Sequence, residues 1–117
     1  PSTRIEVRNP DPSCNPYLAI AAMLAAGLDG IKNKIEPPAP IDRNIYHMSE
    51  QERKSLGIQS LPSSLAEAME ELSKDEVIKN ALGPHIYNKL AEAKRLEWDK
   101  YRCSVHQWEL DEYLSVF

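Results

Sequence analysis

Few features of this chain suit nucleic-acid, membrane or disulfide chemistry. Lys and Arg number 14 against 18 Asp and Glu, for a net charge of −4. No basic stripe with interleaved aromatics occurs, which argues against a general nucleic-acid or membrane-surface role. The most apolar stretch, Tyr17 to Leu28, falls short of the roughly 20 residues that a membrane-spanning helix needs. It also lacks the charged leader of a signal peptide. Cysteine is confined to Cys14 and Cys103. They lie far apart and form no paired motif, so each reads as a small buried thiol. His47, His85 and His106 have no metal-ligand spacing and read as surface or capping residues. No internal repeat or low-complexity tract is present. These absences predict a cytoplasmic protein with no direct nucleic-acid partner and no membrane association.

The chain has 117 residues, 42% hydrophobic and 27% charged, enough for one modest domain. It begins at Pro1 rather than Met, directly on a strand-like pattern, and so reads as excised from something longer. In Arg4-Ile5-Glu6-Val7-Arg8-Asn9 charge alternates with branched apolar side chains. On a β-strand Arg4, Glu6 and Arg8 share one face, and Ile5 and Val7 the other. A carboxylate between two guanidinium groups suits a site handling a metal ion, phosphate and a carboxylate substrate together. A half-buried strand with a wet, charged face fits the same alternation.

Asp11-Pro12-Ser13 turns the backbone, and Asn15-Pro16 opens a helix with Pro16 at its first position, where the missing N–H costs nothing. The following run, to Leu28, is apolar on every side and rich in alanine, so residues 14–31 read as a helix buried all round. Gly27 and Gly30 permit tight packing or an ending. Residues 36–46 hold Pro37, Pro38 and Pro40 and read as an extended loop. Capping-box patterns at Ser49–Glu52, Ser64–Glu67 and Ser73–Glu76 each predict a helix start. Leu72 and Val77 are placed to staple the third, and Gly57 and Gly83-Pro84 mark helix stops. A longer helix after Pro84 carries Tyr87, Leu90, Ala91, Trp98, Tyr101 and Val105 near the 3.6 period. The last segment, with Trp108, Tyr113 and Phe117, is aromatic for a chain end and either folds back on the helices or docks on another subunit. The fold class is therefore mostly α with one N-terminal β-strand: active-site strand 1–10, buried helix 14–31, proline loop 36–46 and helical region 49–117.

Several runs resemble the C-terminal part of type I glutamine synthetase. They are Arg4-Ile5-Glu6-Val7-Arg8, Asp11-Pro12, Asn15-Pro16-Tyr17-Leu18, Ala25 through Lys34, and Ile41-Asp42-Arg43-Asn44-Ile45-Tyr46. The likeness resumes at Leu61-Pro62, Ser64-Leu65, Glu67-Ala68, Glu97-Trp98-Asp99 and His106-Gln107-Trp108-Glu109. The resemblance implies the C-terminal part of an α+β partial-barrel catalytic domain that joins ammonia to glutamate with ATP through γ-glutamyl phosphate. It implies that Arg4 contacts ATP phosphates, Glu6 ligates a divalent Mg²⁺ or Mn²⁺ ion and Arg8 engages substrate glutamate. It also implies a dodecamer of two stacked hexameric rings, in which the C-terminal segment reaches into the opposite ring. The family's glycine-rich, histidine-bearing nucleotide motif, its other acidic metal ligands and its smaller N-terminal domain do not occur here, so the chain alone is expected to be inactive. Cys14 stands where the family commonly has a small residue.

Tyr46 lies in the run that some family members adenylylate. His47-Met48-Ser49-Glu50 departs from the acidic, proline-containing continuation of those members and implies the subgroup without that modification. Tyr46 is thus either a modification site or a structural loop aromatic. The competing functional class is a free-standing helical interaction or regulatory module derived from the synthetase.

Overall fold

The computed structural model describes residues 2–116 and is helical throughout its regular parts. Five α-helices follow in order: α1 (Pro16–Asn33), α2 (Glu50–Ser55), α3 (Leu65–Lys74), α4 (Glu76–Arg102) and α5 (Gln107–Tyr113), with a single 3₁₀ turn at Ile45–His47 before α2. No strand occurs among the described residues, so the predicted N-terminal β-strand is not observed. Residues 2–9 run without regular structure. A strand exists only through its ladder partners, and the described residues supply none to pair with 4–8.

Asn15 caps α1, its side chain accepting hydrogen bonds from the backbone N–H of Tyr17 and Leu18, and Pro16 opens the helix. Neither Gly27 nor Gly30 stops it. The helix runs on to Asn33 and ends at Lys34, which takes the left-handed conformation at φ 52°. α1 packs against α4, and this uses one side only. Leu18, Ala22, Ala25 and Asp29 are half-buried at helical spacing, while Tyr17, Ile20, Leu24, Leu28 and Ile31 form an exposed stripe on the rest of the surface. The expectation of a helix buried all round is therefore corrected. Its sequence is apolar around the whole circumference, but the described chain provides a neighbour for only part of it.

Ser49 and Glu52 form the reciprocal capping box that opens α2. At α3 the pattern resolves differently. Ser64 accepts from the Glu67 N–H, but the Glu67 carboxylate reaches back one residue further, to the N–H and hydroxyl of Ser63, both at 2.8 Å. The third box does not form at all. α3 continues through Ser73, whose hydroxyl donates to the Glu70 carbonyl, and Asp75 caps α4 by accepting from the Ile78 N–H. With the cap two residues later than predicted, Leu72 and Val77 lose the spacing of a staple.

Gly83 breaks α4 with φ 72° and ψ 160°, and Pro84 restarts it. The break makes two limbs, 76–82 and 84–102. The first lies against α1, and the second, through Tyr87, Leu90, Ala91 and Lys94, against Leu65, Ala68, Met69 and Leu72 of α3. Among the described residues only Met48 and Leu82 are buried, at 8% and 9% exposure. The radius of gyration is 18.5 Å, against about 13 Å for a compact chain of this length. The helices form an open layer rather than a closed core.

The same openness corrects the reading of the two thiols: Cys14 and Cys103 are both exposed. Cys14 sits in the turn ahead of α1 and Cys103 caps the end of α4, and no element covers either place. Among the described residues the aromatic tail meets itself and the end of α4 rather than the face of the helical layer. Trp108 and Tyr113 meet edge to face at 5.8 Å, Tyr101 contacts His106 at 4.7 Å, and Tyr101, Trp108 and Tyr113 all remain exposed. Phe117 lies outside the described residues. No helix among those described is long and apolar enough to cross a membrane.

Candidate functional site

Residues 4–8 are extended enough for alternate side chains to come together even without a ladder partner. Arg8 donates from Nε to Glu6 Oε1 at 2.6 Å, and its Nη2 stands 2.6 Å from the same oxygen. Arg4 Nη2 approaches the other carboxylate oxygen at 3.9 Å. The acid between two guanidinium groups, inferred from alternation, is thus a physical cluster. All three side chains are exposed, so the ion pairs contribute little stability and can exchange for other partners cheaply.

Glu6 offers hard carboxylate oxygens of the kind Mg²⁺ and Mn²⁺ take. It is alone in this. No group of three or more His, Cys, Asp or Glu side chains that could hold a metal ion occurs among the described residues. The chain therefore fits one ligand position of a divalent-ion site and not a whole site. Arg4 and Arg8, with planar donor forks, suit phosphate and carboxylate groups.

The connection to the next element is short. Asp11 accepts from the N–H and the hydroxyl of Ser13, and these bonds hold its carboxyl below the usual range. The turn leads within a few residues to the Asn15 cap at the start of α1.

Tyr46 sits in the 3₁₀ turn with 98% of its surface exposed, and its backbone N–H is held by the Asn44 side chain. Met48, two residues on, is buried and anchors the turn. Arg43 stands 3.8 Å from Glu52, linking the proline loop to α2. Tyr46 is far in sequence from 4–8, and no contact joins it to them. The prolines predicted the loop; what anchors it, Met48, carried no sequence signal beyond being one apolar residue among polar ones.

A family model described as glutamine synthetase, catalytic domain, matches residues 1–113. The glutamine synthetase of Thermus thermophilus is 58% identical over 115 residues, covering 98% of this chain and 26% of its own length. That of Thermotoga maritima is 60% identical over 115 residues, with 98% and 26% covered. Among solved structures, a GmaS/ADP complex superposes with a TM-score of 0.78 at 38% identity, covering 91% of this chain and 24% of that one. GmaS without ligand gives 0.77, again at 38% identity, with 92% and 24% covered. The chain spans about a quarter of the length of the curated relatives it matches.

Proposed function

Because this chain belongs to the glutamine synthetase catalytic-domain family, we propose that it is the C-terminal part of an ATP-dependent glutamate–ammonia ligase. The observation that carries the reading is the Arg4–Glu6–Arg8 cluster within residues 1–113, which match the family model. In the proposed reaction the glutamate side-chain carboxylate attacks the terminal phosphoryl group of ATP. The bond to the departing ADP breaks, and ammonia then displaces phosphate from γ-glutamyl phosphate to give glutamine.

Each residue has a distinct task in this scheme. Arg8 holds substrate glutamate through paired, charge-assisted hydrogen bonds that also fix its direction. Arg4 binds the nucleotide phosphates and offsets their charge as they approach the acceptor. Glu6 supplies one carboxylate ligand to Mg²⁺ or Mn²⁺, with the remaining ligands outside this chain. When bound, such an ion polarises phosphoryl oxygens. Their spacing at every second residue sets the separation of the three groups. The unpartnered 4–8 segment becomes a strand once the sheet of the full domain is beside it, and it is there that the cluster becomes rigid.

The chain by itself is not proposed to be catalytic. We place the full-length protein in the cytoplasm as a dodecamer of two hexameric rings. The exposed stripe Tyr17, Ile20, Leu24, Leu28 and Ile31 and the exposed aromatic tail support such burial elsewhere in the assembly. Tyr46, without the acidic, proline-containing residues that follow it in adenylylated members, is read as an unmodified loop aromatic.

The deciding experiment is glutamine formation by the full-length protein, wild type against Glu6→Ala. Loss of a direct metal ligand is expected to cost more than the roughly 10- to 100-fold typical of groups that only support a ligand. Near-normal turnover would remove Glu6 from the metal site.

A further inference from the structure

Lys79 sits at a junction of three elements. Its side chain is 26% exposed, whereas the other lysines in ion pairs among the described residues are 41% to 74% exposed. Its Nζ donates to the Ser73 carbonyl at 3.1 Å, in the last turn of α3, and pairs with Glu76 in the first turn of α4. The same nitrogen lies 5.8 Å from the centre of the Tyr87 ring, which belongs to the second limb of α4, beyond the Gly83 break.

The break itself holds nothing in place. A Cβ built on Gly83 would meet no atom within 4 Å, and its dihedrals belong to a region open almost only to glycine. The angle between limbs 76–82 and 84–102 is therefore set by contacts that bridge the break, and Lys79 makes such a contact with a full charge. Hydrogen bonding to Glu76 favours that charge and raises its pKa above the ordinary lysine value.

We propose that Lys79 is the latch of a hinge at Gly83: its ammonium, shared among the Ser73 carbonyl, Glu76 and the face of Tyr87, holds the two limbs of α4 at one angle. The first limb carries α1 and, ahead of it, residues 4–8. The second carries the packing of α3 and leads to α5. The latch thus sets the angle between the first limb, with α1 against it, and the second limb, and neutralising one ammonium loosens that angle. It depends on local geometry alone and stands whether or not the synthetase reading holds.

Amide hydrogen exchange in the full-length protein tests it. Lys79→Met is expected to speed exchange of amides 88–91 about two- to fivefold, the range that a partly exposed cation–π contact supports. Lys79→Arg, which keeps a cation over the ring, should leave those amides near wild type. Glu76→Gln, which removes only the pair within the first limb, should do the same. Should Lys79→Met fail to fold, Lys79→Gln carries the same expectation, because it loses the charge but keeps a donor for Ser73. Unchanged exchange in the neutral variants would overturn the proposal. So would a Glu76→Gln effect equal to theirs, since the contact across the break would then be irrelevant.

Discussion

Arg8 and Glu6 meet twice at one oxygen, with Nε and Nη2 of the arginine each 2.6 Å from Oε1 of the acid, while Arg4 stands 3.9 Å from Oε2. The pairing is asymmetric: one guanidinium is engaged, and the other lies at the edge of reach. In water such a pair is worth little, so it contributes little to stability.

Arg8→Lys in the full-length protein should raise KM for glutamate by roughly tenfold or more, because an ammonium cannot reproduce the paired hydrogen bonds of the fork. KM for ATP should stay close to wild type. Steady-state kinetics with each substrate varied in turn would show this, and a selective change in the ATP term would transfer the role to the nucleotide.

Gly83→Ala should destabilise the protein by about 1–3 kcal/mol, through backbone strain alone. With φ at 72° and ψ at 160°, an added methyl group meets no neighbour, so the cost comes from the dihedrals rather than from a clash. Denaturant unfolding measures it, and an unshifted midpoint would mean that the backbone at position 83 relaxes to dihedrals open to alanine, which before Pro84 lie in the extended region.

Acid should weaken the starts of α2 and α3 specifically. Glu52 accepts from the N–H and hydroxyl of Ser49, and Glu67 from those of Ser63, which lowers both carboxyls below the ordinary value of 4.5. A lowered folded-state pKa means that the unfolded chain binds protons first. The stabilisation is complete above about pH 4.5 and is lost as pH falls below that value through the folded pKa. Circular dichroism from pH 6 to pH 3 should show the loss, and Glu52→Gln combined with Glu67→Gln should flatten it. An acid transition of undiminished size in that double variant would assign it to other carboxylates.

The isolated chain should self-associate through the exposed stripe of α1, and Leu24→Glu should reduce this. Light scattering across a concentration series reads the effect. A compact monomer at high concentration in the unsubstituted chain would contradict the expectation.

Much of the helical layout was legible because caps are local chemistry. Asn15-Pro16, Ser49–Glu52 and Gly83-Pro84 each act within one turn, and each is found in its predicted role. Where two serines or two possible caps stand side by side, local chemistry did not choose. Glu67 turned to Ser63 rather than Ser64, and Asp75 displaced Ser73 as the cap of α4. The errors at 4–8, α1 and the two cysteines have one common origin. Strand formation and burial depend on neighbours, and composition says what a surface prefers without saying what is available to cover it.

The order of residues alone determined the starts of α1 and α2, the break in α4 and the alternation that gathers Arg4, Glu6 and Arg8, since all of these follow from backbone geometry over a few positions. Tertiary structure decided which face of α1 meets α4, that residues 2–9 are left without a ladder and that Lys79 reaches across the break to Tyr87. These are relations between segments distant in sequence or divided by a bend, and they exist only once the chain has chosen its partners in space.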